Sequence, residues 1–572
     1  MAFGLCLLLI CMLYMSVITE CQDPKQYKDK CSSLVLKDGG DVITMSDQLY
    51  NEARLSHQDV AYASSIEDRD RILSPTIITI PLSENEIVEI IKFANKCGYT
   101  ISIRSGGHQY SGLSSCNQEN GKCIQIDMKH FDYIIIDNIS SDDDKLITVG
   151  SGVHLVDLYQ VTQAMDIAVL GGICATVNAG GHYQSSSQSG WSRSLGLGMD
   201  YITRVKIITA DGEIRNVYKG DDLFWAILGG SPGSWGVVIE YEFEPIKDSD
   251  YPHAAYYSYD HFYSKQGFSA FLNAFIDILD NPYYSNNNDM SASFAGTPRL
   301  DDPTTSSSVI GTLMSIGLKW TGIDNGDIHS VIPNHPMNKT WHQELVQPFI
   351  DIDEMFEETQ IRSTDGTTTI SKWLYEKANT VGRESVIPQF RKLNVQHQFN
   401  KTTMNELLRG PNREEYIQSI VDKFDELAAN STDNLEILWQ FWDLFKNEDE
   451  DLSHDPLNNA VSYPLRDMGL QSDCVVLFGD GDNYTPDVLS KAKQYQYELK
   501  EIFKFSLIKS DLKSYAYTDL LPNEYDLNKQ FNEFYNYRED VYLKLRDIKT
   551  RVDGNNIFKG PLTIPPNEAN YW

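Results

Sequence analysis

Basic residues are scarce in this chain. Lysine and arginine together number 48 against 81 aspartates and glutamates, leaving a formal net charge of −33. A nucleic acid or an anionic membrane needs a basic face, so neither is expected as a partner. The acidity reads as a solvated, self-repelling surface, and the densest acidic run, NEDED at 447–451, as a loop. Long apolar runs are missing too, except at the very start. HExxH and CxxC spacings are absent, which argues against a zinc site, and DGDNYTPD (480–487) lacks the full calcium-loop pattern. No glycine loop has the GxGxxG form between a strand and a helix, and none is a Walker A loop. Internal repeats and low-complexity segments are absent as well.

What is present points to an exported globular protein. The opening MAFGLCLLLICMLYMSVITE reads as a secretory signal peptide over 1–21, cut near Thr19–Gln22; a signal anchor is the other reading. After cleavage no membrane association is expected. Hydrophobic residues make up 41% and aromatics 11%, enough for sizeable cores, and 572 residues call for two or three domains. Cysteines in an oxidising compartment favour disulfides. Cys116 and Cys123 bracket a turn-rich hexapeptide and read as a local bridge, and Cys31 and Cys97 as a long-range pair. Cys174 and Cys474 remain, with Cys21 if it survives cleavage. Sequons at Asn138, Asn338, Asn400, Asn430 and Asn483 offer sites for N-glycans.

Strand-like and helix-like segments alternate from about 75 to 245. TIITIPL, YTISIRS, KCIQIDM, YIIIDN, LITVGSG, TRVKIITA and GVVIEYEFEP read as strands. SENEIVEIIKFANKCG reads as an amphipathic helix, opened by Ser83 and Glu86 at capping-box spacing and closed before Gly98. HLVDLYQVTQAM is a second helical pattern. After Pro245, aromatic strands such as LEILWQFWDLF and amphipathic helices suggest an antiparallel sheet covered by helices. The fold class is α+β. The expected divisions are 22–247 (core 71–247), 248–505, and a C-terminal segment 506–572 that returns to the first domain.

Three glycine-rich loops follow within the first domain: RSGGH (104–108), GGICATVNAGGH (171–182) and ILGGSPGSWG (227–236). One such loop is ordinary turn punctuation. Three together suggest a backbone wrapped closely around an extended cofactor. On the residues alone, His108 is either a turn histidine or a ligand attachment point, Cys174 either a disulfide partner of Cys474 or Cys21 or a reactive thiol, and His182 either a satisfied loop residue or a ligand contact.

His108 within RSGGHQYSG, Cys174 within GGICATVNAGGH, and His182 eight residues on resemble the flavin-linked oxidases of the berberine bridge enzyme type, in the vanillyl-alcohol oxidase superfamily. DLFWAILGGSPGSWGVV (222–238), LRDIKTRVDGNNIFKGPLTIPP (545–566) and SYPLRD (462–467) continue the resemblance. It implies a PCMH-type FAD-binding domain joined to a substrate domain. FAD is then held bicovalently, by His108 at the 8α-methyl carbon and Cys174 at ring carbon 6. Arg104, Ser105, Gly106, Gly107, Gln109, Tyr110, Gly180, Gly181, His182, Gly236 and Val237 are the implied cofactor contacts. The usual three glycines after GGH are replaced here by Ser185, Ser186 and Ser187, and serine is less permissive at positive φ.

The resemblance also implies a reaction. A secreted oxidase would dehydrogenate an alcohol group, a sugar or oligosaccharide hemiacetal first, passing hydride to the flavin, with O2 as acceptor and H2O2 as product. Tyr515 in SYAYTDL is the expected base; its phenol has an ordinary pKa of about 10, which must be lowered. Arg466 or a second tyrosine, Tyr110, is expected to assist it. Gln440 lies on a strand expected to face the flavin, in a register that one residue's slip would reverse. Ala179, just before the GGH glycines, implies room for oxygen. The alternatives are an oxidase or dehydrogenase of phenolic alcohols or alkaloids, and a secreted flavin-binding protein without turnover.

Overall fold

A computed structural model describes the chain between residues 31 and 567, apart from 56–70, 109–113, 117–120, 139–144, 297–312, 323–341, 382–390, 401–409, 430–434, 444–455, 463–467, 479–484, 506–538 and isolated positions between. Three large sheets organise the described residues, beside a two-stranded pairing of Ile167–Ala168 with Ile246–Lys247. The first has four strands in the order Asp41–Thr44, Ile77–Ile80, Cys123–Asp127, Thr100–Arg104. Its last three strands run parallel, so helix Glu84–Cys97 serves as the crossover between Ile77–Ile80 and Thr100–Arg104. Ile87, Ile90, Ile91 and Ala94 of that helix are fully buried, at the three- and four-residue spacing of one helix face. The helix ends at Gly98, whose φ of +70° is the left-handed stop that glycine adopts without strain.

The helix start differs from the expected reciprocal cap. Ser83 Oγ does accept the Glu86 N–H (3.3 Å). The Glu86 carboxylate, however, accepts the N–H groups of Asp38 (2.8 Å), Gly40 (3.1 Å) and Leu82 (2.8 Å). Buried, Glu86 satisfies the N-terminal chain instead of its own helix.

The second sheet is antiparallel: Ile134–Asn138, Lys145–Gly150, Val237–Phe243, Ile202–Ile208, Ile214–Tyr218. Helix Leu155–Gln163 buries Leu155, Leu158 and Tyr159 in the same core as Val238, Tyr241 and Phe243. Both expected disulfides are formed, Cys31–Cys97 with Cα atoms 5.8 Å apart and Cys116–Cys123. Cys174 keeps its thiol and is half-buried.

The third sheet has seven antiparallel strands in the order Gln360–Thr367, Ala255–Phe262, Leu313–Trp320, Asn288–Gly296, Leu435–Asp443, Met468–Phe478, Arg391–Asn400. Helices Lys265–Leu279, Gln347–Met355, Arg413–Ala429 and Pro486–Phe505 pack in one core with Tyr257, Tyr259, Met290, Ala292, Ile316 and Val476. The alternate residues belong to the opposite face, where strand Asn288–Gly296 meets segment Ser192–Leu195. There the Asp289 carboxylate accepts the N–H groups of Arg193 (2.8 Å) and Ser194 (3.1 Å) and the Ser194 hydroxyl. Helix Ile370–Val381 also docks on helix Leu155–Gln163, with the Ser371 N–H donated to Asp248 (3.1 Å).

The end of the chain returns to the first two sheets. Lys549, fully buried on helix Glu539–Val552, donates to the carbonyls of Ser234 (2.6 Å) and Phe558 (2.9 Å) and to Asp553 (2.6 Å). The Ile101 N–H donates to the Ile557 carbonyl (2.7 Å). Of the sequons, Asn138 and Asn400 end strands, and Asn338, Asn430 and Asn483 lie outside the described residues. No helix among the described residues is long and apolar enough to cross a membrane, and the N-terminal 30 residues lie outside them.

Candidate cofactor site

The parallel strand Thr100–Arg104 ends in the first glycine loop. Arg104 is buried and its guanidinium donates to Asp127 (2.6 and 3.2 Å) and to the carbonyls of Ala53 (2.6 Å) and Leu55 (3.1 Å). It therefore shapes the loop, and its charge is matched within the protein. Ser105 Oγ donates to the Ser151 carbonyl (2.5 Å). Gly106 has no room for a Cβ, which would run into the Asn178 side chain, and Gly107 takes φ +66°. His108 follows, with Nε2 2.8 Å from Thr176 Oγ1. Thr176 stands two residues after Cys174, so the first two glycine loops meet at His108 and beside Cys174.

The second loop is laid along helix Leu155–Gln163. The N–H groups of Leu155 and Val156 donate to the carbonyls of Val177 (2.8 Å) and Ala175 (3.2 Å). Tyr159 OH donates to the Gly172 carbonyl (2.8 Å), and the Gly172 N–H donates to His182 Nε2 (3.1 Å). His182 Nε2 is therefore an acceptor and the ring is neutral; desolvation pulls its pKa down to about 4. Gly180 approaches Ser105 and Ser151 too closely for any side chain, whereas the Gly181 position opens onto free space.

The third loop joins through Gln184. Its Nε2 donates to the Gly180 carbonyl (2.7 Å), and its own carbonyl and Oε1 accept the N–H groups of Gly229 (3.0 Å) and Gly233 (3.3 Å). Gly236 has φ +146° and a Cβ there would strike the Ile208 carbonyl; Val237 is buried in the core, leaving only its backbone available. The same loop spells Gly229-Gly230-Ser231-Pro232-Gly233, the letters of a nucleophile elbow, with Ser231 at φ +77°. It lies after helix Asp222–Ile227 and before a strand, the reverse of the strand–turn–helix order that an elbow requires.

Ser187 does adopt the left-handed conformation, φ +47°. It is buried, its Oγ accepts the Met199 N–H (2.6 Å), and its carbonyl accepts the Gly198 N–H (3.1 Å). The hydroxyl thus compensates for what glycine would have given freely. Ser185 Oγ donates to the Gly181 carbonyl (3.0 Å). Ala179 is fully buried in the apolar core, so its small size serves packing there.

A cavity of about 350 Å³ lies beside these loops, lined by Arg104, Ser105, Gly106, His154 and Asn178 among others. Asn178 Oδ1 and Ser151 Oγ are buried and, among the described residues, have no hydrogen-bond partner. Such atoms are costly to leave unmatched, and a ligand bearing hydroxyls and phosphate oxygens matches them.

Residues 75–218 match the FAD binding domain family. Reticuline oxidase of Papaver somniferum is 33% identical over 174 residues, 30% of this chain and 31% of that one. Berberine bridge enzyme-like C-1 of Nicotiana tabacum is 29% identical over 204 residues, 35% of each chain. The chain thus spans about a third of the curated relatives it matches. Across 94% of its own length it superimposes on 99% of berberine bridge enzyme from Eschscholzia californica, with TM-score 0.69 and 19% identity. The chain has the fold of berberine bridge enzyme. Chitooligosaccharide oxidase shares the fold as well, with TM-score 0.65 and 16% identity over 94% of this chain and 99% of that one.

Tyr515, Arg466, Gln109, Tyr110 and Ser186 lie outside the described residues. Gln440 pairs with Ser293 on one side and Asp473 on the other. That register puts position 440 in the row of Asp260 and Ser315, alternate to the row of Ala292 and Ile316 in the helix-covered core. Thr176, Tyr159, Asn178 and Gln184 were not legible as site residues. Tyr159 reads as one more apolar position of a helix, and the others sit in loops whose meeting depends on the whole sheet.

Proposed function

We propose that this chain is a secreted FAD-dependent oxidase that dehydrogenates an alcohol carbon, a sugar or oligosaccharide hemiacetal first, with O2 as acceptor and H2O2 as product. The observation that carries the reading is the hydrogen bond of His108 to Thr176, which brings the histidine loop onto the cysteine loop. His108 and Cys174 would hold the isoalloxazine ring, at the 8α-methyl and at carbon 6. Bound FAD supplies a two-electron acceptor. Asn178, Ser151 and the open backbone at Gly181 suit its hydroxyl and phosphate groups. Tyr515, assisted by Arg466 or Tyr110, is the proposed base for the substrate hydroxyl. The signal peptide over 1–21 and the N-glycans belong to the same reading.

The third sheet favours a carbohydrate. Its register lines up Asp260, Ser315, Ser293, Gln440, Asp473 and Gln396 in one row. Carboxylates, amides and small hydroxyls suit a polyhydroxylated ligand better than an apolar polycycle. One solved neighbour is a chitooligosaccharide oxidase. The second reading, an alkaloid or phenolic alcohol, draws on the likeness to reticuline oxidase.

Oxygen use is read at Gly172 in preference to Ala179. A glycine-to-alanine variant of berberine bridge enzyme is described as a reticuline dehydrogenase, and the replaced glycine lies two residues before the cysteine replaced in another variant. Gly172 stands two residues before Cys174.

The test begins with acid precipitation of the purified protein, mass spectrometry of the His108 and Cys174 peptides, and anaerobic mixing with sugars and with benzylic alcohols. Flavin mass on both peptides and bleaching by a sugar support the reading. Bleaching by aromatic alcohols alone moves it to the second reading, and flavin without any bleaching leaves a binding protein without turnover.

A further inference from the structure

The segment holding Cys174 has no regular secondary structure, yet its backbone is fastened on both sides. Upstream, Gly172 is held at its carbonyl by Tyr159 OH (2.8 Å) and at its N–H by His182 Nε2 (3.1 Å). A Cβ on Gly171 would collide with the Tyr159 oxygen and crowd His182 Nε2, so the tyrosine and the histidine close on one point of the chain. Downstream, the Ala175 carbonyl accepts the Val156 N–H (3.2 Å). Only Ile173 and Cys174 lie between the two anchors. Tyr159 and Val156 both belong to helix Leu155–Gln163, which is packed in the core of the antiparallel sheet.

We propose that Tyr159, with His182, is a positioning residue for the Cys174 sulfur, and that this clamp governs the cysteine attachment separately from the histidine attachment. The proposal rests on the reading that Cys174 bonds to FAD. His108 has a support of its own, Thr176. The helix acts as a ruler against which the thiol is set, so loosening one anchor displaces the sulfur and leaves His108 where it is. Attachment joins Cys174 Sγ to ring carbon 6. The thiol proton, the proton of carbon 6 and two electrons leave together, and dioxygen takes them up as hydrogen peroxide. A displacement of the attacking atom by about 1 Å lowers the rate of such a step by about 100-fold.

The test compares wild type with Tyr159→Phe, Tyr183→Phe and His182→Leu, measuring the flavin-bearing fraction of the Cys174 and His108 peptides during a timed incubation with FAD. Tyr183 OH also donates to this loop, at the Leu170 carbonyl (3.1 Å), and lies in the same core, so it controls for a merely structural loss. Tyr159→Phe is expected to slow labelling of the Cys174 peptide at least tenfold, leaving the His108 peptide loaded as in wild type. Tyr183→Phe is expected to stay within about fivefold on both peptides, one lost hydrogen bond's worth. His182→Leu, which removes the second hold together with an implied cofactor contact, is expected to slow the Cys174 peptide at least tenfold more than the His108 peptide, and serves if Tyr159→Phe does not fold. Wild-type labelling of Cys174 in Tyr159→Phe or His182→Leu, or an equal fall on both peptides, overturns the clamp. A wild-type Cys174 peptide that never gains flavin mass overturns the linkage reading itself, and the clamp with it.

Discussion

His108 Nε2 and Thr176 Oγ1, 68 residues apart in sequence, share a 2.8 Å hydrogen bond. The bond sets the histidine ring against the loop that carries Cys174 and leaves Nδ1 as the other ring nitrogen. Thr176→Val keeps the shape and removes the bond, worth about 1 kcal/mol. The His108 peptide is then expected to acquire flavin about fivefold more slowly, with Cys174 labelling unchanged, as peptide mass spectrometry would register.

His182 carries a pH signature. Its folded pKa, about 4, lies below the ordinary imidazole value of 6.5, so the unfolded chain binds the extra proton first as pH falls. Stability is therefore full above pH 6.5, declines between 6.5 and 4, and levels off below. The residue as a whole keeps some exposure, so the loss is expected nearer ~2 kcal/mol than the full linkage value. His182→Gln, neutral throughout, should remove that share of the slope in urea melts of the flavin-free protein at pH 4.5 and 7.

Ser187 sets two effects against each other. Left-handed backbone costs a non-glycine residue about 1 kcal/mol, while its hydroxyl satisfies the buried Met199 N–H at a value of about 1–3 kcal/mol. The hydroxyl wins. The expected order of stability is Ser187, then Ser187→Gly, then Ser187→Ala, which keeps the strain and loses the bond. An order with glycine above serine in thermal melts would contradict it.

Asp289 joins the two halves of the chain. Burial raises its pKa, yet it accepts the backbone of Arg193 and Ser194, and Lys319 is its cross-strand partner. Asp289→Ala leaves those donors buried and unmatched, and is expected to destabilise by about 3–5 kcal/mol. Denaturant unfolding measures the loss, and a change within 1 kcal/mol would show the contact to be peripheral.

Gly172→Ala should fold normally, since a Cβ there meets His182 at 3.6 Å and the Gln188 carbonyl at 3.8 Å, ordinary contacts. If Gly172 admits oxygen, stopped-flow reoxidation of the reduced enzyme slows at least tenfold while anaerobic reduction is unchanged. Equal reoxidation rates would remove Gly172 from the oxygen path.

Strong local signals were legible in the sequence. The period of Ile87, Ile90, Ile91 and Ala94 marked a helix, Gly98 its end, and apolar runs the strands of the first two sheets. Cys116 and Cys123 announced their bridge by closeness alone. Glu86 was misread, because its partners lie 46 and 48 residues upstream as well as beside it, and no local spacing reveals that. Tyr159 hid for a similar reason: one hydroxyl on an otherwise apolar helix face looks like packing until the loop above it is known. Gln440 needed the register of a seven-stranded sheet, which strand propensity does not contain.

The pairing of Ile101 with Ile557 and the seat of Lys549 under Ser234 have a consequence for biosynthesis. A ribosome delivers the strands of the first two sheets first and their closing piece only after the whole third sheet. Until residues near 558 emerge, the parallel sheet lacks its bridge to Phe558 and the third glycine loop lacks the ammonium beneath it. The cofactor layer is thus finished only once residues 549–558 have been made, and stop codons just before them should strike the flavin region first, far from where they fall in the message.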